Sequence, residues 1–410
     1  MRRRAPLPTL VVAAALALGS AVSLGLARFA YALLLPTMRA DLGWSYFSGG
    51  AMNTVNAAGY LVGALIAPPS LRRYGARTVL IVATAATALA LAAHGVVAGD
   101  AALYALRFVS GAASAPSLVA GAVMAAGLGG AASGVVASGA ARRVVPSGLS
   151  LGLYYGGTGI GIVAAALLVP ALVDGGGAHA WQPAWIGLGA IALVATALLT
   201  LATRGQAAPS SGAAGQEVAA RFRWRPFVPG LVAYLLFGLG YIGYMTFVIT
   251  MLRDQRLAPA VITAFYAMLG IAVIASSWLW AGMLQRFRGG ESLAILSALL
   301  ALATLLPVIS TRPVAVFASG LLFGSVFLSL VTSTTALVRH NLPASLWAQG
   351  IAAFTVMFAL GQIVGPALVG FVADRAGGLR ADLACSAAVL ALGALAAWRQ
   401  KPLASRDGRR

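Results

Sequence analysis

The chain has 410 residues, of which 60% are hydrophobic and 9% charged, with a mean hydropathy of +0.91. Soluble domains carry roughly 25% charged residues, so a water-soluble core of this size is excluded. The formal net charge of +19 would suit nucleic acid, but its placement along the chain points to a membrane surface instead.

A hydrocarbon layer about 30 Å thick takes roughly 20 apolar residues per crossing helix. Apolar runs of that length lie near residues 10–36, 49–69, 77–99, 101–127, 148–173, 181–202, 228–252, 260–284, 291–310, 314–338, 347–373 and 381–398. They predict an all-α membrane protein with twelve transmembrane helices. A transmembrane barrel would show short segments of alternating polarity instead. The start, Arg2-Arg3-Arg4 before an Ala/Leu/Val run, looks like a secretory signal, yet the run continues to Leu35, past the length of a removable one. It is read as a retained first helix. Gly127 to Ser147 either extends the fourth helix or forms a connecting loop.

With the N-terminus placed inside, twenty Lys and Arg residues fall in cytoplasmic breaks and the tail, and six fall opposite: Arg39, Arg253, Arg256, Arg312, Arg375 and Arg380. Arg28 and Arg107 are embedded and complete the 28. The positive-inside rule then puts both termini in the cytoplasm. Asp41, Asp100, Asp174, Asp254, Asp374 and Asp382 all fall on the outer side. Cys385 is the single cysteine, so no intrachain disulfide forms. His94, His179 and His340 are too scattered for a metal site, and no cofactor is expected.

The polar stretch 203–226 divides the chain into an N-terminal six-helix bundle (1–202) and a C-terminal one with a basic tail (227–410). The halves also resemble each other. A shift of 213 residues aligns Gly25, Leu26, Tyr31, Thr37, Met38 and Asp41 with Gly238, Leu239, Tyr244, Thr250, Met251 and Asp254, and Gly111 with Gly324. A shift of 200 aligns Gly161, Leu168, Val169, Asp174 and Gly177 with Gly361, Leu368, Val369, Asp374 and Gly377. Six helices separate the copies, so the repeats are parallel and predict a pseudo-twofold along the membrane normal, as in transporters that rock about a central site.

These features resemble the major facilitator superfamily (MFS) over essentially the whole chain. Residues 25–44 (GLARFAYALLLPTMRADLGW), 59–65 (GYLVGAL), 237–248 (FGLGYIGYMTFV) and 359–374 (ALGQIVGPALVGFVAD) are similar to its bacterial YbfB/YjiJ-like subfamily. The resemblance implies the MFS fold and a secondary transporter working by alternating access, with no particular substrate. One departure concerns the loop that usually reads G-x-L-A-D-R-x-G-R. Here it is PSLRRYGAR, with Arg72 where the Asp would fall, so a charge relay through that Asp is not expected. GFVADRAGG (residues 370–378) resembles the same string but follows helix eleven on the outer side, and is assigned no such gating role. Arg107-x-x-x-Gly111 resembles an element of the superfamily often linked to proton coupling.

Arg28 is the sharpest candidate for substrate binding. A guanidinium stays charged, and hydrocarbon is costly for it unless it meets water, a counter-charge or carbonyls. It either contacts solute or locks the first helix in place. Tyr31 lies on the same face, and the repeat places Tyr241 and Tyr244 on helix seven. For Arg107, with Ser110, Ser114 and Ser117 continuing its face, packing or gating is weighed above solute contact. Asn53, Asn56 and Tyr60 on helix two, Tyr154, Tyr155 and Thr158 on helix five, Ser325, Ser329 and Thr332 on helix ten and Gln362 on helix eleven form rows that avoid lipid. Each row either lines a cavity or bonds helices together. None of the nine Asp and Glu residues falls in the middle of a predicted helix, so the embedded carboxylate of many proton-driven carriers is expected to be missing.

The reading is therefore a transporter and not an enzyme, since no catalytic cluster is visible at membrane depth. Its substrate would be a small organic anion held near Arg28. The alternatives are an exporter of drugs or sugars with Arg28 structural, or a non-transporting membrane sensor. Expected partners are the small-molecule substrate and the lipid bilayer, with a coupling proton left open and no nucleic acid. The expected form is a monomer in the bacterial inner membrane.

Overall fold

Where no water reaches the backbone, every peptide group must be satisfied within the chain, and long apolar runs achieve this as helices. The computed structural model describes residues 9–130, 147–173, 177–205, 222–343, 346–375 and 377–403, and these contain helices and no strand. The first span is continuous through α1 (Thr9–Ser20), a π-helical stretch (Ala21–Phe29) and α2 (Tyr31–Leu42). Then come α3 (Tyr46–Tyr74), α4 (Ala76–His94), α5 (Asp100–Gly130), α6 (Ser147–Val173) and α7 (Gln182–Ala202). The second part holds α8 (Val228–Asp254), α9 (Pro259–Leu279) with its short continuation α10 (Ala281–Arg286), α11 (Glu291–Ile309), α12 (Pro313–Asn341), α13 (Trp347–Arg375) and α14 (Leu379–Trp398).

Eleven spans among the described residues are long and apolar enough to cross a membrane. The twelfth expected span, α3, has the length, 29 residues, but its composition is diluted by Asn53, Asn56, Arg72 and Arg73. Helix α5 runs to Gly130, so the start of the ambiguous Gly127 to Ser147 segment is helical. Residues 131–146 lie outside the described residues, as do Arg2 to Arg4, Asp174 and most of the 203–226 stretch. Helices α9 and α12 open on Pro259 and Pro313, where a missing N–H removes nothing from the ladder. Gly75 (φ 78°) and Gly378 (φ 79°) supply the left-handed turns that start α4 and α14.

The chain forms two compact units, one of Met1–Thr37 with Ala58–Gly212 and one of Met38–Ala57 with Ala213–Arg410. The first half of α3 thus belongs with the second unit. Lipid tails are as apolar as leucine, so helices in a membrane associate through close packing and polar contacts. In unit 1 the π-helical stretch crosses α6 at glycine: a Cβ on Gly25 would lie 2.5 Å from Gly161 Cα, and one on Gly161 would lie 2.8 Å from Gly25 Cα. In unit 2, α8 crosses α13 the same way, a Cβ on Gly238 lying 2.5 Å from the Phe358 carbonyl and one on Gly361 lying 3.0 Å from the Gly238 carbonyl carbon. These are the glycine pairs that the two sequence shifts align.

Proline shapes unit 2 as well. Pro307 inside α11 has no N–H to offer the Ala303 carbonyl four residues back. Ser319 Oγ of α12 donates to that carbonyl at 2.7 Å, and Tyr244 Oη of α8 lies 2.7 Å from Ser319 Oγ. Because the Ser319 proton is committed to Ala303, the Tyr244 hydroxyl is the donor, and three helices are tied through one serine.

Gly161→Ala should therefore cost about 1–3 kcal/mol of stability, because the new methyl meets backbone that cannot move aside; a thermal melt of the purified protein equal to wild type would contradict this packing. Ser319→Ala should cost about 1–3 kcal/mol by stranding two buried polar groups. Ser333→Ala removes a hydroxyl bonded only within its own helix, to Leu330 O, and should cost clearly less in the same melt.

Candidate functional site

A π turn carries one extra residue per closed ring, so it shifts carbonyls out of the ordinary ladder, and such bulges are frequent at functional sites. In unit 1 the Ala30 N–H reaches back to Gly25 O at 3.0 Å, and both embedded arginines meet this stretch. Arg28 sits in its last turn. Arg107 of α5 donates from Nη1 to Ala27 O at 2.8 Å.

Arg107 has no exposed surface. Its Cζ lies 4.8 Å from the Tyr31 ring centroid and 5.9 Å from that of Trp185. Trp185 of α7 stacks on His94 of α4 at 4.4 Å, and His94 Nδ1 lies 2.6 Å from Ala90 O. A carbonyl and two aromatic faces replace water around this cation, and in doing so join α2, α4, α5, α7 and the π-helical stretch. The serines on the Arg107 face are engaged: Ser110 bonds Arg107 O and Ser114 bonds Gly111 O within α5, while Ser117 lies 3.0 Å from Ser23 of the π-helical stretch and 2.7 Å from Thr84 of α4.

Arg28 is 4% exposed and its Cζ stands 5.6 Å from the Tyr60 ring centroid. Tyr60 belongs to the half of α3 that packs in unit 1. The three α6 candidates are engaged in packing, Tyr155 with its ring edge-on to Tyr154 at 5.2 Å. Thr158 Oγ1 lies 2.8 Å from Ser20 Oγ, and Tyr154 Oη donates to Leu118 O at 2.7 Å. Gly121 makes room for that ring, since a Cβ there would lie 2.5 Å from the Tyr154 hydroxyl.

In unit 2, Asn53 Nδ2 donates to Thr246 Oγ1 at 2.8 Å, and Asn56 is buried on the same helix. Gln362 Nε2 donates to the Tyr241 hydroxyl. The Tyr241 ring stacks with Phe327 at 5.2 Å and Phe358 at 5.6 Å. Tyr244 is committed to Ser319 as described, and Ser329 Oγ donates to Ser276 O at 2.5 Å. Unit 1 therefore gathers Arg28 with Tyr60 and Arg107 with Tyr31, while unit 2 gathers Tyr241 with Gln362.

Sequence reasoning passed over two arrangements. The start of α3 is capped by Asp374, whose two carboxylate oxygens each accept at 2.9 Å from the Tyr46 and Phe47 N–H groups. Tyr46 Oη donates to Asp254 at 3.0 Å, and Arg39 Cζ lies 4.0 Å from the Tyr46 ring centroid. The GFVADRAGG string, given no gating role above, thus anchors α3 through its aspartate. The signal was present in the internal alignments, which paired Asp254 and Asp374 with earlier acids. The second arrangement corrects an expectation. Asp382, counted with the outer acids, has no exposed surface, so the second unit does hold a buried carboxylate. It lies in the first turn of α14, at the outer end of the expected span 381–398, so that no acid stands at mid-helix and yet one is buried.

Residues 20–398 match the family described as "Uncharacterised MFS-type transporter YbfB". No curated protein sequence matches the chain at a significant level. Among solved structures, the nucleoside transporter NupG aligns with a TM-score of 0.70 at 16% identity, over 95% of this chain and 100% of that one. A bacterial homologue of the human lysosomal transporter Spinster, in an inward-facing and occupied conformation, aligns at 0.68 and 14% identity, over 95% of each chain. The human organic anion transporter MFSD10 (TETRAN) aligns at 0.61 and 14% identity, over 95% of this chain and 100% of that one. At such identities the likeness carries the fold. With its apolar helices and near full-length match, the chain is a multi-pass membrane protein that belongs to the YbfB family of MFS-type transporters.

Proposed function

We propose that this transporter moves a small organic anion across the bacterial inner membrane by alternating access, with Arg28 and Tyr60 contacting the solute. The positive-inside count supports cytoplasmic termini. The internal repeat, with its matched glycine crossings, supports two pseudo-symmetric bundles of the kind that rock in alternating access. The observation that carries the solute class is the division of labour between the embedded cations. Arg107 is enclosed by Ala27 O, Tyr31 and Trp185. Arg28 projects from an irregular turn towards the face of Tyr60, where a permanent positive charge in a low dielectric attracts an anion strongly.

A second reading, export of an amphipathic drug or sugar, draws on the aromatic stack of Phe237, Tyr241, Phe327 and Phe358 in unit 2. There the ring faces would bind the solute and Arg28 would be structural.

Thermal stabilisation of the purified protein by small carboxylates, sugars and lipophilic cations separates the two. A carboxylate that stabilises wild type should bind Arg28→Ala roughly tenfold or more weakly, the loss expected for a charge-assisted hydrogen bond. Arg28→Lys should retain part of the response, since charge survives without the planar fork. Undiminished carboxylate responses in both variants would remove Arg28 from binding, and stabilisation by lipophilic cations alone would favour the export reading.

A further inference from the structure

Helix α14 turns one stripe towards the interior of unit 2: Leu379, Asp382, Leu383, Ser386, Ala387, Leu390 and Gly393 are buried at helical spacing. Asp382 and Ser386 lie one turn apart on it. Among the described residues neither carboxylate oxygen of Asp382 has a hydrogen-bond partner, nor has Ser386 Oγ, nor Thr250 Oγ1 on α8, and all four atoms are buried. Some other buried hydroxyls of this unit are bonded, such as Thr304 to Leu300 O and Ser333 to Leu330 O, while Ser297 Oγ on α11 shares the lack of a partner among the described residues but stands on no helix turn with an acid.

Glycine contacts set the register between the two helices. A Cβ on Gly393 would lie 3.4 Å from Ala233 O, one on Gly240 would lie 2.7 Å from Leu390 Cγ and 2.9 Å from Ser386 O, and one on Gly243 would meet Ser386 Oγ. The helices are antiparallel, so each step up α8 matches a step down α14. One turn beyond the contact of Gly243 with Ser386, this register brings Asp382 level with Phe247, and Thr250, seven residues from Gly243 and so on the same face of α8, follows about one turn further. Close approach is possible because α8 carries glycine at 240 and 243.

The charged groups at this end of the neighbouring helices are engaged elsewhere or face outwards. Asp254 accepts from Tyr46, Asp374 caps α3, and Arg375 Cζ lies 4.3 Å from the Phe371 ring centroid. Arg380 and Arg312 are exposed, and Arg253 is half-buried near the end of α8. The C-terminal half of α11 has no titratable side chain. A bare carboxylate is strongly disfavoured in such surroundings, and a carboxylate with two hydroxyls is the oxygen set that hard cations choose.

We propose that Asp382, Ser386 and Thr250 form a buried site for one exchangeable monovalent cation, a proton or sodium. The site would give the transport reading above its coupling ion. It stands separately from that reading, because its test needs no transported solute.

The test is the melting temperature of the full-length protein in detergent, from pH about 5 to about 9, in potassium or sodium chloride of equal ionic strength. The proteins are wild type, Asp382→Asn, Ser386→Ala and Thr250→Val. If a proton fills the site, wild type loses stability relative to Asp382→Asn as the pH rises, since ionisation then leaves a buried charge. If sodium fills it, sodium raises the wild-type melting temperature above its value in potassium at the alkaline end. That gain vanishes in Asp382→Asn. The hydroxyl variants keep the carboxylate and should move the midpoint of whichever response wild type shows, so they carry the test even where Asp382→Asn fails to fold. Identical pH and sodium responses in wild type and all variants would overturn the site. So would an Asp382→Asn protein that is less stable than wild type by the same amount at every pH and in both salts, the sign of an ion pair already formed at pH about 5.

Discussion

Backbone meeting backbone at glycine is the constraint on which both units rest. In unit 1 the π-helical stretch can approach α6 only because Gly25 and Gly161 lack side chains, and in unit 2 α8 approaches α13 through Gly238 and Gly361. In hydrocarbon, where apolar burial distinguishes little between helix and lipid, the dispersion and weak polar contacts of such crossings do much of what a hydrophobic core does in water. The crossing in unit 1 also positions the chemistry, for the residues that follow Gly25 include Ala27 and Arg28.

From that crossing the roles of the two embedded cations diverge. The irregular turn presents Ala27 O to Arg107, and the guanidinium repays this by holding α5 against the first span while Trp185 and Tyr31 cover its faces. Arg28, one residue on, points to Tyr60 instead. Two buried like charges repel in a low dielectric; carbonyl and ring density around Arg107 and the Tyr60 face beside Arg28 offset that cost. The neutral side chains divide similarly. Thr158, Tyr154, Tyr244 and Ser329 bond to other helices, as polar groups in a membrane must when no water is at hand.

Much of this was legible in the order of residues. Span lengths follow from membrane thickness, and the paired glycines, Tyr31 with Tyr244 and Asp41 with Asp254, stood out against an Ala/Leu background. Asp382 was readable too, because Leu379, Leu383, Ser386 and Leu390 place it on the apolar stripe of α14, although its place at the outer end of the span grouped it with the outer acids. Asp374 was legible as an acid repeated between the halves, but its role as the α3 cap was not, since the cap joins residues more than 300 positions apart through a helix end whose location depends on packing.

Sequence by itself determined the class of molecule, its helical spans and the presence of two permanent charges inside them, because hydrocarbon imposes rules on length and polarity that act residue by residue. Only the tertiary structure decided which arginine is enclosed, which hydroxyls are consumed between helices and which acid is buried. Those outcomes depend on helix rotation and on the distance between backbones, and both are settled only when glycine crossings bring separate spans within reach of one another.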